Sequence, residues 1–216
     1  MRVALAVLTV LALTGCGAPA AEAAPARVSG ESAVSTLAQL PVKGRAPKTG
    51  YSRDQFGKAW ADVDHNRCDT RNDILARDLD PDTRAGCKVL AGTLHDPYTG
   101  RTIEFRRGAR TSTAVQIDHL VALSNSWQTG AQQLTATQRE ALANDPLNLL
   151  AVDGPTNGRK SDGDTATWLP PNKPFRCAYV ARQAAVKAKY RLWVTPPEKA
   201  AMTRVLDTCP GQTTPR

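Results

Sequence analysis

The chain has 216 residues and a formal net charge of +8, from 28 lysines and arginines against 20 acidic residues. This length predicts one folded domain with a short tail, and the sequence contains no internal repeat, which excludes a repeat array. The positive charge favours a polyanionic partner such as nucleic acid, a wall polymer or anionic lipid, but it also serves solubility. The net charge is therefore compatible with each of these partners and does not distinguish between them.

The first residues are typical of an export signal. Arg2 precedes an apolar run over residues 3–13, which is too short to span a bilayer as a permanent helix. Residues 13–16, Leu-Thr-Gly-Cys, resemble the lipobox of bacterial lipoproteins, in which Cys16 would carry the lipid. The alternative is an ordinary signal peptide cut after Ala23 or Ala24. Both interpretations place the protein outside the cytoplasm, either lipid-anchored on the outer face of the membrane or secreted.

Four further cysteines follow the signal: Cys68, Cys87, Cys177 and Cys209. Because an exported chain meets oxidising conditions, we expect two disulfides. Chain order favours Cys68–Cys87 and Cys177–Cys209, and the other two pairings stay open. No Cys-x-x-Cys spacing is present, so we do not expect a structural zinc site.

Composition divides the chain into four parts. Residues 1–16 form the signal, and residues 17–50 are rich in Ala, Pro, Ser and Gly without an aromatic residue, which predicts a flexible linker. The first aromatic residue is Tyr51, so we expect the folded domain at 51–209 and a loose tail at 210–216. A domain of this length buries about 70% of its unfolded-state surface.

Periodicity and capping signals predict an α+β domain that is rich in helix outside a small hairpin. Ser52 is the expected cap of the first helix, and Thr135 with Gln138 forms a capping box for a later one. The predicted helices cover residues 52–61, 72–79, 135–143, 156 onward, 182–190 and 197–206. The predicted strands cover 101–105, after a turn at 96–100, then 115–118 and 148–152.

An Asp-His pair ends the strand predicted at 115–118. A histidine side chain is largely neutral near pH 7 and can take a proton from water, while a divalent cation neutralises a phosphate and stabilises a departing oxygen. Neighbouring residues on a strand point to opposite sides, so Asp118 and His119 must lie at a strand end or bend to share one site. An isolated Asp-His pair is common and is usually structural, so the pair alone permits phosphodiester hydrolysis and does not select it.

Three segments carry a resemblance to a known family. Ile-Asp-His-Leu-Val-Ala-Leu occupies residues 117–123, Asn-Asp-Pro-Leu-Asn-Leu-Leu occupies 144–150, and Pro-Thr-Asn-Gly-Arg-Lys-Ser-Asp occupies 155–162. Together they resemble the HNH nucleases, also called ββα-metal endonucleases. Cys-Asp-Thr-Arg at 68–71 and Trp-Leu-Pro-Pro at 168–171 are similar to segments of exported bacterial HNH endonucleases. The resemblance covers most of residues 51–206.

The resemblance implies an α+β fold with a ββα-metal core, a small antiparallel hairpin and surrounding helices. His119 matches the general base, Asp118 and Asn157 match metal ligands, and Asn148 matches an asparagine that braces the histidine loop. Lys160 matches a lysine able to approach the phosphate, one helical turn after Asn157. Oxygen ligands of this kind suit one Mg²⁺ or Mn²⁺ ion.

The function implied is that of an exported, metal-dependent endonuclease that hydrolyses DNA, and RNA as a further substrate, leaving a 5′-phosphate. The first alternative is a catalytically inactive surface lipoprotein that binds DNA or an anionic wall polymer. The second is a calcium-stabilised structural module of the envelope. We expect a monomer, and no protein partner is evident.

Basic and aromatic side chains add weaker signals. Arg101, Arg106, Arg107 and Arg110 precede the Asp-His strand and Arg159 lies beside Lys160, so these arginines either contact the phosphate backbone or form a solvated face. Trp127 and Trp168 either stack on bases or belong to the core.

An acidic stretch precedes the second predicted helix. Asp62, Asp64, Asn66 and Asp73 occupy positions 1, 3, 5 and 12 of an EF-hand-like loop, but Arg67 stands where glycine is expected. The stretch is either a structural Ca²⁺ site or a polar loop held by the Cys68 disulfide.

Overall fold

The computed structural model describes residues 30–215. The predicted signal peptide and the lipidation of Cys16 lie outside the described residues. Within them no helix is long and apolar enough to cross a membrane. The helices are α1 (Ala33–Gln39), α2 (Thr70–Asp78), α3 (Leu123–Gln128), α4 (Ala136–Ala143), α5 (Gly154–Lys160), α6 (Arg176–Lys189) and α7 (Pro196–Leu206). The strands are β1 (Leu79–Ala85), β2 (Lys88–His95), β3 (Thr102–Arg106), β4 (Val115–His119) and β5 (Leu149–Asp153).

Strands β1, β2 and β3 form an antiparallel sheet with β2 in the centre. Helix α2 packs on this sheet and buries Ile74 and Leu75 against Val89 and Phe105. A Cβ at Gly92 would lie 2.9 Å from the carbonyl oxygen of Pro81. Glycine at this position therefore allows β1 and β2 to pair at this short distance. This sheet forms one flank of the domain.

Strands β4 and β5 form a second antiparallel sheet, in which Asp118 pairs with Leu150 and His119 with Leu149. Helix α5 begins directly after β5 and packs on both strands. The Asp-His pair therefore lies at the end of β4, and α5 brings Asn157 towards the same edge.

Helices α1, α6 and α7 pack together around buried residues that include Leu37, Tyr179, Val180 and Met202. Trp168 packs against this cluster and Trp127 is buried in a neighbouring one, as their alternative interpretation as core residues predicts.

The expectation of a flexible linker over 17–50 differs from the structure in its described part, 30–50. Helix α1 buries Ala33 and Leu37, and the extended chain after it is fastened to the domain. Lys43 lies 5.1 Å from the ring centre of Trp193, and Arg45 makes an ion pair of 2.6 Å with Asp164. Burial of Ala33, Leu37 and Leu40, together with these polar contacts, is enough to hold the segment, and composition does not reveal such contacts.

The predicted disulfides Cys68–Cys87 and Cys177–Cys209 are both present. The capping box of α4 is also confirmed, since Thr135 and Gln138 satisfy each other's backbone N–H groups. The helix predicted at 52–61 is wrong. A 3₁₀ turn covers only Arg53–Phe56 and ends at Gly57, whose φ of +70° takes the chain out of helical geometry.

Candidate active site

His119 is a buried residue at the end of β4, held by one hydrogen bond. Its Nε2 atom lies 2.8 Å from the carbonyl oxygen of Ala143. A carbonyl can only accept, so Nε2 carries the proton, and Nδ1 of the neutral ring keeps a lone pair. The ring is thus prepared to receive a proton at Nδ1.

Burial lowers the pKa of His119 from 6.5 to about 4. The Ala143 carbonyl and the charge of Asp118 act in the opposite direction, while Arg53 and Lys160 lower the pKa further. Desolvation dominates because it disfavours the charged imidazolium. His119 is therefore neutral at pH 7, the form that a general base requires.

Asn148 fixes the loop that follows His119. Its side-chain oxygen accepts from the Val121 N–H at 2.9 Å, and its amide donates to the Val121 carbonyl at 3.3 Å. Two arginines support the Asn148 segment from outside: Arg77 and Arg182 both donate to the carbonyl of Leu149. The chain before and after His119 is thereby held in one position.

Asp118 is buried beside His119, and both of its oxygens have partners. Lys160 donates to Oδ1 at 3.0 Å and the hydroxyl of Tyr98 donates to Oδ2. Burial raises the pKa of Tyr98, and the charge of Asp118 raises it further, so Tyr98 stays a hydrogen-bond donor. Each oxygen has lone pairs beyond the one used here.

The structure corrects the expectation that Lys160 approaches the phosphate. Its side chain has no exposed surface, and the ammonium also donates to the His119 carbonyl at 2.8 Å. A buried ammonium needs a carboxylate partner, and Asp118 supplies it. Lys160 therefore orients the Asp-His pair from behind.

Asn157 lies on α5, and its Nδ2 atom donates to Gln116 Oε1 at 2.9 Å. Its amide oxygen accepts no hydrogen bond from any residue within 30–215. Asn157, Asp118 and His119 line one open cleft of about 360 Å³. The structure thus brings the three residues together, and it places Asn148 and Lys160 directly behind them.

The cleft is completed by residues that the sequence patterns did not indicate. Ser124 and Lys48 both donate to Asp162, at 3.0 and 3.3 Å, and these two hydrogen bonds lower the pKa of that carboxyl. Arg53 lines the cleft beside His119, and its guanidinium has no hydrogen-bond or ion-pair partner in the described chain. Lys48 and Arg53 fall in the predicted linker and the wrongly predicted helix, where no spacing signal marks them.

A second cavity of about 330 Å³ lies on another side of His119. It shares Arg53, His119 and Leu123 with the cleft, and Trp60 forms part of its wall. The rings of Trp60 and His119 lie nearly parallel, at 17°, with their centres 6.1 Å apart.

The arginines expected to contact phosphate do not line the cleft or the second cavity. Arg107 donates to the Val89 carbonyl and to Asn72, each at 2.6 Å, so it has a structural role between β2, β3 and α2. Arg159 donates to Thr156 at 2.7 Å. Arg101, Arg106 and Arg110 are exposed elsewhere on the surface.

The carboxylates of the acidic loop at residues 62–73 accept hydrogen bonds from within the loop. Asp62 and Asp64 both accept from the Asn66 N–H, and Asn66 donates to Asp73 at 3.2 Å. Burial raises the pKa of Asp73, against the hydrogen bond from Asn66. Over the described residues, no group of three or more His, Cys, Asp or Glu side chains is arranged to hold a metal ion.

The family model for "GmrSD restriction endonucleases, C-terminal domain" matches residues 64–205, a range that includes Asp118, His119, Asn148 and Asn157. An "Uncharacterized secreted protein" of the fungus Arthroderma benhamiae (strain ATCC MYA-4681 / CBS 112371) is 37% identical over 209 residues, covering 95% of this chain and 98% of that protein. No solved structure matches.

These comparisons support a nuclease family, and the secreted relative together with the two disulfides indicates an exported protein. The relatives expected from the sequence were bacterial, whereas this relative is fungal. Because the match over residues 64–205 covers more than half of its length, the chain belongs to the family of GmrSD restriction endonuclease C-terminal domains.

Proposed function

We propose that the protein is an exported, metal-dependent endonuclease that hydrolyses phosphodiester bonds of DNA, and of RNA as a further substrate. The observation that carries the proposal is a buried histidine, neutral at pH 7, that lines one open cleft with Asp118 and Asn157 and whose Nδ1 has no hydrogen-bond partner within residues 30–215. In this proposal β4, β5 and α5 form the ββα core.

The donors in the cleft fit a hard divalent cation such as Mg²⁺ or Mn²⁺. Asp118 offers carboxylate lone pairs and Asn157 an amide oxygen, both of which such ions prefer. Two protein ligands leave room for water and substrate around the ion. When bound, the cation would neutralise phosphate charge and stabilise the departing oxygen.

The chain's own residues would perform the other tasks. His119 would take a proton from water at Nδ1 while the Ala143 carbonyl holds Nε2–H in place. Arg53, which has no side-chain partner among residues 30–215, would contact the non-bridging phosphate oxygens in the position that Lys160 does not reach. Tyr98 and Lys160 would hold Asp118 in its orientation through hydrogen bonds to its two oxygens. The product would carry a 5′-phosphate.

The same proposal describes a monomer outside the cytoplasm, which is either anchored through a lipid on Cys16 or secreted. The alternative of an inactive binding protein predicts the same location without turnover, and the following experiment separates the two.

Supercoiled plasmid would be incubated with residues 30–216, disulfides intact, in Mg²⁺, Mn²⁺ or EDTA. We expect nicking in either metal and none in EDTA. We expect His119→Ala to lower the rate by roughly 100- to 10,000-fold, because the general base is lost. His95→Ala, at an exposed histidine on β2, is the matched control and should cleave at the wild-type rate. Binding without cleavage by the folded protein in both metals would establish the inactive alternative.

A further inference from the structure

We propose that the second cavity is a subsite for one unpaired nucleobase next to the scissile phosphate, so that the preferred substrate is a single strand. This inference rests on the proposed function and specifies its substrate. The cavity has a volume of about 330 Å³ and is lined by Arg53, Asp54, Trp60, His119, Leu123 and Asn144, among others.

The position of the cavity indicates what occupies it. Arg53, His119 and Leu123 belong both to this cavity and to the catalytic cleft. A phosphodiester that contacts His119 and Arg53 is joined through its sugar to a base within one nucleotide of the same residues. The substrate polymer therefore brings a base to the mouth of the cavity whenever its phosphate is in the cleft.

Trp60 gives the cavity an aromatic wall. The side chain is half-buried and lies nearly parallel to His119. Its backbone φ of +58° is a conformation that bulky residues rarely adopt. Asn144 holds the loop on both sides of Trp60, accepting from the Ala61 N–H at 3.0 Å and donating to the Lys58 carbonyl at 3.3 Å. A disfavoured backbone is thus maintained where it presents an indole beside the catalytic histidine.

The polar groups of the cavity suit the edge of a base. The Arg53 guanidinium and the Asp54 carboxylate have no side-chain partner within 30–215, and they offer hydrogen-bond donors and acceptors respectively. The Asn144 amide is already engaged by the surrounding backbone. Stacking on Trp60 would tolerate every base, so the subsite favours an unpaired nucleotide without strong sequence preference.

A base inside this cavity cannot remain paired in a duplex, so it must come from a single strand or be turned out of the helix. Double-stranded DNA would therefore react more slowly than the same strand alone. This difference follows from stacking on Trp60, which lines the cavity and does not line the cleft.

The test uses short thymidine oligonucleotides in which one linkage is a phosphodiester and the others are methylphosphonates. Two further versions lack the base on the 5′ or the 3′ side of that linkage. Cleavage would be measured in Mg²⁺, and binding would be measured by fluorescence anisotropy in EDTA. We expect the wild-type protein to prefer the intact oligonucleotide over one abasic version by roughly 5- to 100-fold in both assays, from lost stacking.

Three variants test whether Trp60 causes this preference for the intact oligonucleotide. Trp60→Leu should abolish it, Trp60→Phe should keep most of it, and Val63→Ala, at an exposed apolar residue in the same loop, should leave it unchanged. Equal treatment of all three oligonucleotides by the wild-type protein would overturn the subsite. An equal loss on intact and abasic oligonucleotides in Trp60→Leu would also overturn it, since Trp60 would then act only by packing on His119. Base-dependent binding without any cleavage would refute the proposed hydrolysis and support the subsite.

Discussion

At the scale of single residues, the site depends on the difference between two buried side chains with opposite requirements. His119 is buried in a form that needs no charge, because its only described hydrogen bond goes to a carbonyl. Lys160 is buried as a charged group, and it is tolerable there because Asp118 and the His119 carbonyl surround its ammonium. His119 therefore keeps a nitrogen that can accept a proton, whereas the ammonium of Lys160 serves to stabilise the structure.

The depressed pKa of His119 makes stability depend on pH. The pKa is about 4 in the folded protein and about 6.5 in the unfolded chain, so the unfolded chain binds the proton more readily between these values. This contribution is fully present above pH 6.5 and is lost as pH falls towards 4. We expect the wild-type protein to lose about 2 kcal/mol more free energy of unfolding between pH 7.5 and pH 5 than His119→Asn loses.

Urea unfolding of both proteins at the two pH values measures this difference, with disulfides intact. His95→Asn, which changes an exposed histidine, should behave like the wild-type protein. The same pH effect in His119→Asn and in the wild-type protein would show that His119 titrates normally.

Replacing the basic side chains of Arg53 and Lys160 should have different effects on stability. Arg53→Ala should leave the free energy of unfolding within about 0.5 kcal/mol, because the side chain is exposed and unpaired in the described structure. It should reduce the slope of log K for DNA binding against log salt concentration by about 1, which corresponds to the loss of one phosphate contact. Lys160→Met should destabilise the protein by about 3 kcal/mol or more, because it leaves Asp118 buried without its counterion.

Binding at several salt concentrations, together with urea unfolding, measures both effects. Arg110→Ala, an exposed arginine away from the cleft, is the control for Arg53 and should change neither quantity. A wild-type salt dependence in Arg53→Ala would exclude the phosphate contact.

At the scale of elements, the segment from α1 to the 3₁₀ turn joins packing to the site. Helix α1 inserts Ala33 and Leu37 between α6 and α7, and the chain then runs to Lys48 and Arg53 at the cleft. One stretch of about twenty residues therefore closes the core and supplies the exposed cations of the cleft.

Removal of residues 30–50 should therefore cost both stability and activity. Loss of the buried side chains Leu37 and Leu40 alone predicts a decrease of about 4 kcal/mol, at roughly 1.5–3 kcal/mol for each. We expect 51–216 to be strongly destabilised relative to 30–216 and to cleave plasmid poorly. Urea unfolding and near-ultraviolet circular dichroism of the two fragments measure the effect. Equal stability would show that the segment only lies on the surface.

Local signals predicted some elements and not others. The capping box at Thr135 and the alternating residues of β3 define these elements by themselves, so sequence was sufficient. Strand β1 was missed because Asp80, Pro81 and Asp82 are typical of a turn, and its pairing with β2 is a tertiary property. Helix α1 was missed because its few apolar residues matter only through the helices they contact.

At the scale of the whole molecule, the cleft combines residues from distant parts of the chain. Asp118, His119, Asn148 and Asn157 fall in recognisable segments, and their positions along the chain were predictable. Tyr98 was not predicted, because it lies in the turn between β2 and β3 and reaches Asp118 on β4 only in the folded protein. The burial of Lys160 and the exposure of Arg53 at the cleft were likewise not predictable, because sequence spacing does not show which cation is buried.

The two ends of the described chain lie side by side. Ser32 pairs with Thr213, and the Thr214 N–H donates to the Glu31 carbonyl at 2.8 Å. During synthesis and export, α1 emerges before α6 and α7, the two helices on which it packs, so it cannot complete its packing until both have followed. The disulfide between Cys177 and Cys209 forms only under oxidising conditions. A partly translocated chain therefore lacks the helices on which α1 packs. For the proposed nuclease, this order of assembly would delay activity until α6 and α7 are in place.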